Sequence, residues 1–345
     1  MRLFSYRNKR RAKLGLIVLA VILGVFAVFC ICRFIYLQRF LVYTGDSVRL
    51  DYSQSLEKSP DTQKPEWDPA TVEIVTKDPV VPTSAAADEP MKPLSGYYIT
   101  TEMLLNMDAV SAAMAEQDTP QTIMLDLKSI YGNFYYSSGT LGAVTSSADI
   151  GAIDSLIGQL SQQNELYLVA RIASLSDTNF ALANQSCGLP LRSGALWMDD
   201  HGCYWLDPME DTVQEYLVSI AQELAAMGFD EVVFDDFRIP ESGNIVYQSE
   251  LSREDAAAEA AKSIRTLLED TPIRVSFNSS NAGVAESSDR IYLVTEDGSA
   301  VAGLVESLQD SLEDPAAQIV FLTPSRDTRF EGYGILRPLI EARKE

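Results

Sequence analysis

The residues of this chain best suited to bond chemistry are carboxylates standing where short apolar runs give out. Asp126 stands near the end of TIMLDL (122–127), and Asp235 and Asp236 directly follow EVVF (231–234). Glu296 and Asp297 come just after RIYLV (290–294), and Asp207 stands in Trp205-Leu206-Asp207-Pro208 ahead of an amphipathic run. Two such groups roughly 5–9.5 Å apart cut glycosidic bonds, one protonated to help the leaving oxygen depart and one ionised as nucleophile or base. Trp197, Trp205 and Tyr131 offer flat faces to the C–H surfaces of sugar rings, while Arg171, Arg238 and Asn278 offer hydrogen bonds to hydroxyls.

Each candidate also has a plainer role. Asp236 follows Asp235 and so points to the opposite side of a strand, where it would cap a turn or meet a base. Asp235 could form a structural ion pair with Arg238, Asp207 could cap a helix, Glu296 could be a solvated loop acid, and Trp205 could cover a rim. Other chemistries have less support. The chain has no G-x-G-x-x-G, Walker or G-x-S-x-G motif, so nucleotide binding and a nucleophile elbow lack a basis, and no cofactor is expected. A single histidine, His201, argues against a histidine-based metal cluster. Cys187 and Cys203 either pair across a short loop or remain separate thiols.

Elements that could position these acids are legible in order. Gly228 follows the amphipathic run 211–227 and supplies a helix stop. Glu231–Phe234 then reads as a strand buried on both faces, and Pro240 ends its pairing. Further strands are expected at 96–100, 122–127, 166–172, 273–277, 290–294 and 319–322, with helices at 103–116, 149–162, 211–227, 252–269 and 300–312. Strands alternating with helices predict parallel crossovers, in an α/β barrel or an open α/β sheet with chemistry at the strands' carboxyl ends. Only GYGIL (332–336) could supply an eighth strand, so a barrel would be either complete and compressed or shortened at its C-terminal end.

Charge and hydropathy divide the chain further. Residues 1–13 hold six bases and no acid, while the whole chain has a net charge of −22. The remainder has 21 bases against 49 acids, a body that repels nucleic acid and anionic lipid headgroups. Residues 14–37 are apolar but for Arg33 and long enough for the roughly 20 residues of a spanning helix. The expectation is one uncleaved transmembrane anchor with a cytoplasmic N-terminus and everything beyond it extracytoplasmic. Residues 38–93 are expected as a proline-rich linker, in which 40–52 either packs on the domain or continues the helix, and 94–345 as the globular domain.

Within that domain the chain resembles a family of glycosyl hydrolase TIM-barrel domains, first catalogued as a domain of unknown function in bacterial anchored or secreted proteins. The resemblance rests on four ordered motifs: Asp126-Leu127-Lys128, Ala170-Arg171-Ile172, Trp205-Leu206-Asp207-Pro208, and Gly228-Phe229-Asp230-Glu231 leading to Phe234-Asp235-Asp236-Phe237-Arg238-Ile239-Pro240. It implies a (β/α)8 TIM barrel in which Asp235 holds the strand-four carboxylate and is the best catalytic candidate. It does not identify the second carboxylate. Asp236 stands where the family usually has an aromatic residue. The resulting expectation is hydrolysis of a cell-surface or environmental polysaccharide, with Asp235 as nucleophile or base, Glu296 as first choice for the acid and Asp126 as second. Arg171, Trp205, Asp207, Asp236, Arg238 and Asn278 are expected to bind substrate. An inactive carbohydrate-binding or envelope scaffolding module on the same barrel is the alternative.

Overall fold

The structure is a computed structural model that describes residues 41–44, 47–50, 91–117, 120–247 and 249–341. The chain divides into two compact units, Met1–Pro79 and Val80–Glu345. In the first, Leu41–Thr44 and Ser47–Leu50 pair antiparallel, with Leu41 opposite Leu50. This stretch therefore forms strands and does not continue a helix, in keeping with its Val and Tyr content. The expected anchor at 14–37 and nearly all of the expected linker lie outside the described residues. Among the described residues, no helix is long and apolar enough to cross a membrane.

The second unit is a closed barrel of eight parallel strands. They are β1 (Ser95–Ile99), β2 (Thr122–Lys128), β3 (Tyr167–Ala173), β4 (Glu231–Asp235), β5 (Arg274–Asn278), β6 (Ile291–Val294), β7 (Ile319–Leu322) and β8 (Gly334–Pro338). Each pairs with the next in chain order, and β8 closes the ring on β1 with Ile335 opposite Ser95 and Pro338 opposite Tyr98. The shortened end allowed for in the sequence is thus corrected: the eighth strand is present. Its pairing partners are β7 and β1, the latter more than two hundred residues away, so its own short sequence signals it weakly.

Alternation along the strands builds two cores. Met124, Val169, Val233, Tyr292, Val320, Leu322 and Leu336 cluster inside the ring. Ile123, Leu125, Leu168, Val232, Phe234, Phe277 and Phe321 pack outward against the helices. Burial on both faces explains the near-continuous apolar strand sequences. The main helices are α1 (Met107–Glu116), α2 (Ile150–Leu160), α3 (Asp211–Ala226), α4 (Arg253–Leu267) and α5 (Val301–Leu308). Asn106, Asp149 and Ser252 cap α1, α2 and α4 by accepting from backbone N–H groups of the first turn. Gly228, at φ +94°, stops α3 as its sequence position predicts, and a Cβ there would lie 3.0 Å from the Ser161 Cβ.

The amino-terminal end of the barrel interior is sealed by a polar plug. Glu231, fully buried, accepts from Arg290 Nη1 at 2.6 Å, Tyr167 Oη at 2.8 Å and Tyr292 Oη at 3.0 Å. A buried charge is tolerated when it is paired and hydrogen-bonded in this way. The opposite end carries the long loops. The loop after β2 is fastened to α3 by Glu223, and the loop after β3 folds back through the bridges Ser176↔Trp205 and Gly188↔Leu206. Cys187 and Cys203, the pair left open by the sequence, are both free buried thiols.

Candidate active site

Strand register brings four of the expected side chains together at the carboxyl end of the ring. Asp126 on β2 is the register partner of Arg171 on β3, so their side chains leave adjacent backbones on the same side. Arg171 donates from Nε to Asp126 Oδ1 at 2.6 Å and from Nη2 to Oδ2 at 2.5 Å, a bidentate fork. Its remaining nitrogen, Nη1, lies 3.7 Å from Asp235 Oδ2. On the far side Asn278, ending β5, donates to Asp235 Oδ1 at 2.5 Å. The line Asp126–Arg171–Asp235–Asn278 crosses four consecutive strand ends. A single guanidinium stands between the two acids, forked onto one and 3.7 Å from the other.

The electrostatics follow from partial burial of this row. Burial pushes the Asp126 carboxyl above the usual carboxylate range, although Arg171 works against the shift. Burial also opposes the Arg171 charge, but Asp126 and Asp235 outweigh it and hold the guanidinium above its ordinary value. Tyr98 on β1 has its phenol raised, first by burial, with Arg171, Asp126 and Glu296 all within electrostatic reach.

Other expected residues are placed differently. Glu296 is exposed on the turn after β6, which Asp297 winds tightly by accepting from Ser299 N at 2.8 Å. Arg238 does not pair with Asp235: its guanidinium lies 5.2 Å from the Trp205 ring centroid, and the cation facing Asp235 is Arg171. Trp205 is only 4% exposed, and its indole N–H is donated to Asp199 Oδ2 at 2.9 Å, so it is packed into the β3 loop with Arg238 over its ring. Asp207 Oδ1 accepts from Met209 N at 3.0 Å in the turn leading to α3, and burial raises its carboxyl. Lys128 is drawn away from the row into a buried pair with Asp177 at 2.7 Å. Tyr131 is exposed, with its hydroxyl donated to the His201 carbonyl at 3.1 Å, whereas Trp197 packs half-buried on the core.

Asp236 departs most from expectation. Strand alternation turns it away from Asp235, but among the described residues it is the one non-glycine with positive φ, at 54°. Its Oδ2 accepts from Ser176 Oγ at 2.8 Å. Burial and then the neighbouring Asp235 raise its carboxyl above the usual range. Sequence reasoning missed Ser174 and Ser176, both buried, and Tyr98. The available signals were a serine at alternate positions just past an apolar strand and a tyrosine inside GYYIT.

No curated protein matches the sequence. Among solved structures, the chain is similar in fold to a hypothetical protein from Ruminiclostridium thermocellum, at 23% identity over 53% of this chain and 96% of that one, with a TM-score of 0.43. It is also similar to the glycoside hydrolase domain of PelA from Pseudomonas aeruginosa, at 12% identity over 72% and 95% of the two chains, with a TM-score of 0.44. A third is Aspergillus fumigatus Ega3, solved with galactosamine, at 10% identity over 68% and 78%, with a TM-score of 0.43. A family model described as "putative glycosyl hydrolase domain" matches residues 96–296, a span running from β1 through the acid row to Glu296. The chain belongs to this glycosyl hydrolase domain family.

Proposed function

We propose that this protein is a membrane-anchored, extracytoplasmic glycoside hydrolase that cuts O-glycosyl bonds of a polysaccharide at the open end of its barrel. The observation that carries this reading is Asp235, held at a strand end by Asn278 on one oxygen and faced by Arg171 on the other. Asp235 acts as nucleophile or base, its carboxylate oriented before substrate arrives. Glu296 acts as the acid. Its strand, β6, is two positions round the ring from β4, about 10 Å between backbones, which leaves the side chains room to close on a sugar between them. Asp126, occupied by both teeth of the Arg171 fork, serves better as the holder of Arg171 than as a proton donor.

Arg238, which lies over the Trp205 ring, and Asp207 border the same end and are assigned to substrate contact, whereas the Asp236 carboxyl is taken up by Ser176. The substrate we infer is uncharged or amine-bearing, because the chain beyond its basic head is strongly acidic and would repel a polyanionic glycan. Anchoring rests on the apolar run 14–37 behind a basic head, which puts the N-terminus in the cytoplasm.

The test is release of reducing ends by the full-length protein from a panel of neutral, amino and acidic polysaccharides. Wild type should act on a neutral or amino member, and Asp235→Asn should lose at least about a hundredfold in rate while still sedimenting with that glycan. Binding by wild type without turnover across the panel would favour the alternative, a carbohydrate-binding module on the same barrel.

A further inference from the structure

Two consecutive acids at the end of β4 are fixed by two alternate serines of the segment leaving β3. Ser174 N donates to the Asp235 carbonyl at 2.9 Å, and Ser174 Oγ donates to the same oxygen. Two residues on, Ser176 Oγ donates to Asp236 Oδ2 at 2.8 Å. Both serines are buried, at 0% and 1% exposure, so these bonds are shielded from water. Asp236 takes left-handed backbone with φ 54°, and in that conformation Arg238 N reaches the Asp236 carbonyl at 2.9 Å. Left-handed backbone is costly for a residue with a Cβ and persists where its surroundings over-determine it, commonly at functional sites.

We propose that Asp236, with Ser174 and Ser176, is a positioning device for Asp235: the left-handed turn and its serine anchor end β4 at the catalytic acid and hold that acid between Arg171 and Asn278. Without the turn, the strand would run on, and Asp236 would project to the far side as alternation dictates. Among the described residues, the Ser176 bond is the hydrogen bond that holds the Asp236 side chain in its turn. The groups around Asp236 are consistent with an anchor and not a salt bridge, because Asp235 repels it while Arg238 and Arg171 attract it from a distance. Asn suits this position, since it tolerates left-handed backbone and offers an acceptor to Ser176; Ala offers neither.

The inference rests on Asp235 being catalytic, but its central test does not. The full-length chain is labelled with aspartate carrying ¹³C at the side-chain carboxyl, and the Asp235 line is assigned by its loss in Asp235→Asn. Wild type and Asp236→Asn should each give one sharp Asp235 line, whereas Asp236→Ala and Ser176→Ala should split or broaden it with circular dichroism unchanged. Should Asp236→Ala fail to fold, Ser176→Ala against Asp236→Asn decides. A single sharp line in Ser176→Ala would overturn the proposal. On a polysaccharide that wild type cleaves, kcat should fall roughly 10–100-fold in Ser176→Ala with KM little changed, and stay near wild type in Asp236→Asn. If Asp235→Asn retained full turnover, the catalytic reading would fall while the line-shape result still judged the clasp.

Discussion

The guanidinium of Arg171 grips Asp126 through two parallel hydrogen bonds at 2.6 and 2.5 Å, across the register pair joining β2 to β3. Both side chains are largely sheltered, at 13% and 11% exposure. This fork fixes where the guanidinium's third nitrogen points, and it points toward Asp235.

Breaking the fork should therefore cost stability as well as function. Asp126→Ala leaves a sheltered cation short of its partner and should destabilise the domain by about 3 kcal/mol, read from urea unfolding. Arg171→Lys keeps the charge but cannot form the fork, so it should lower turnover more than it lowers the unfolding midpoint. Equal unfolding curves for Asp126→Ala and wild type would show that the pair bears no weight.

Asp207 gives a pH prediction of definite sign. Burial raises its folded pKa above the ordinary 3.8, so the folded state holds that proton more tightly than the unfolded chain. Its contribution is fully present below the unfolded pKa and is lost as pH rises through the folded one. Asp207→Asn keeps an acceptor for Met209 N and removes the buried charge. It should match wild type at pH 3 and be more stable at pH 7, by on the order of 1 kcal/mol or less. A variant equally destabilised at both pH values would refute this.

Glu223 should govern the loop after β2. It accepts from Tyr136 Oη at 2.8 Å, Ser138 Oγ at 2.7 Å and Thr140 Oγ1 at 3.3 Å, and from the Gly139 N–H. Removing it in Glu223→Ala leaves the buried Tyr136 hydroxyl without its acceptor and should cost about 2 kcal/mol. Amide exchange at 136–140 should accelerate far more than in the core of α3, and Glu223→Gln should restore most of the protection.

Gly298 should matter through the turn that carries Glu296. A Cβ there would come within 2.5 Å of Asp327 Oδ2 and 3.0 Å of Arg329 Nε, two groups paired with each other at 2.7 Å. Gly298→Ala must push the exposed pair or the turn aside. The stability cost should stay near 1 kcal/mol, because a surface pair can yield. If Glu296 is the acid, kcat should fall several-fold; unchanged kinetics with a displaced Asp327–Arg329 pair would argue against Glu296.

Much of this site was written in local sequence. Short strand runs reached Asp126 near the end of β2 and closed on Asp235 and Asn278 in β4 and β5, and alternation put those side chains on the face shared with Arg171. Those are properties of a strand and its immediate neighbours, so a single chain displays them. Pairing was another matter. Arg238, three residues from Asp235, was the partner that proximity suggested, yet sheet register supplied Arg171 from a strand some sixty residues earlier. Trp205 has an aromatic's generic promise, and only the folding back of the β3 loop buried it. The eighth strand needed β1 to close on it, and the turn at Asp236 needed Ser176 from across the sheet. Residue type and period determined which groups reach the strand ends; register, closure and loop packing, which join distant parts of the chain, decided which of them meet.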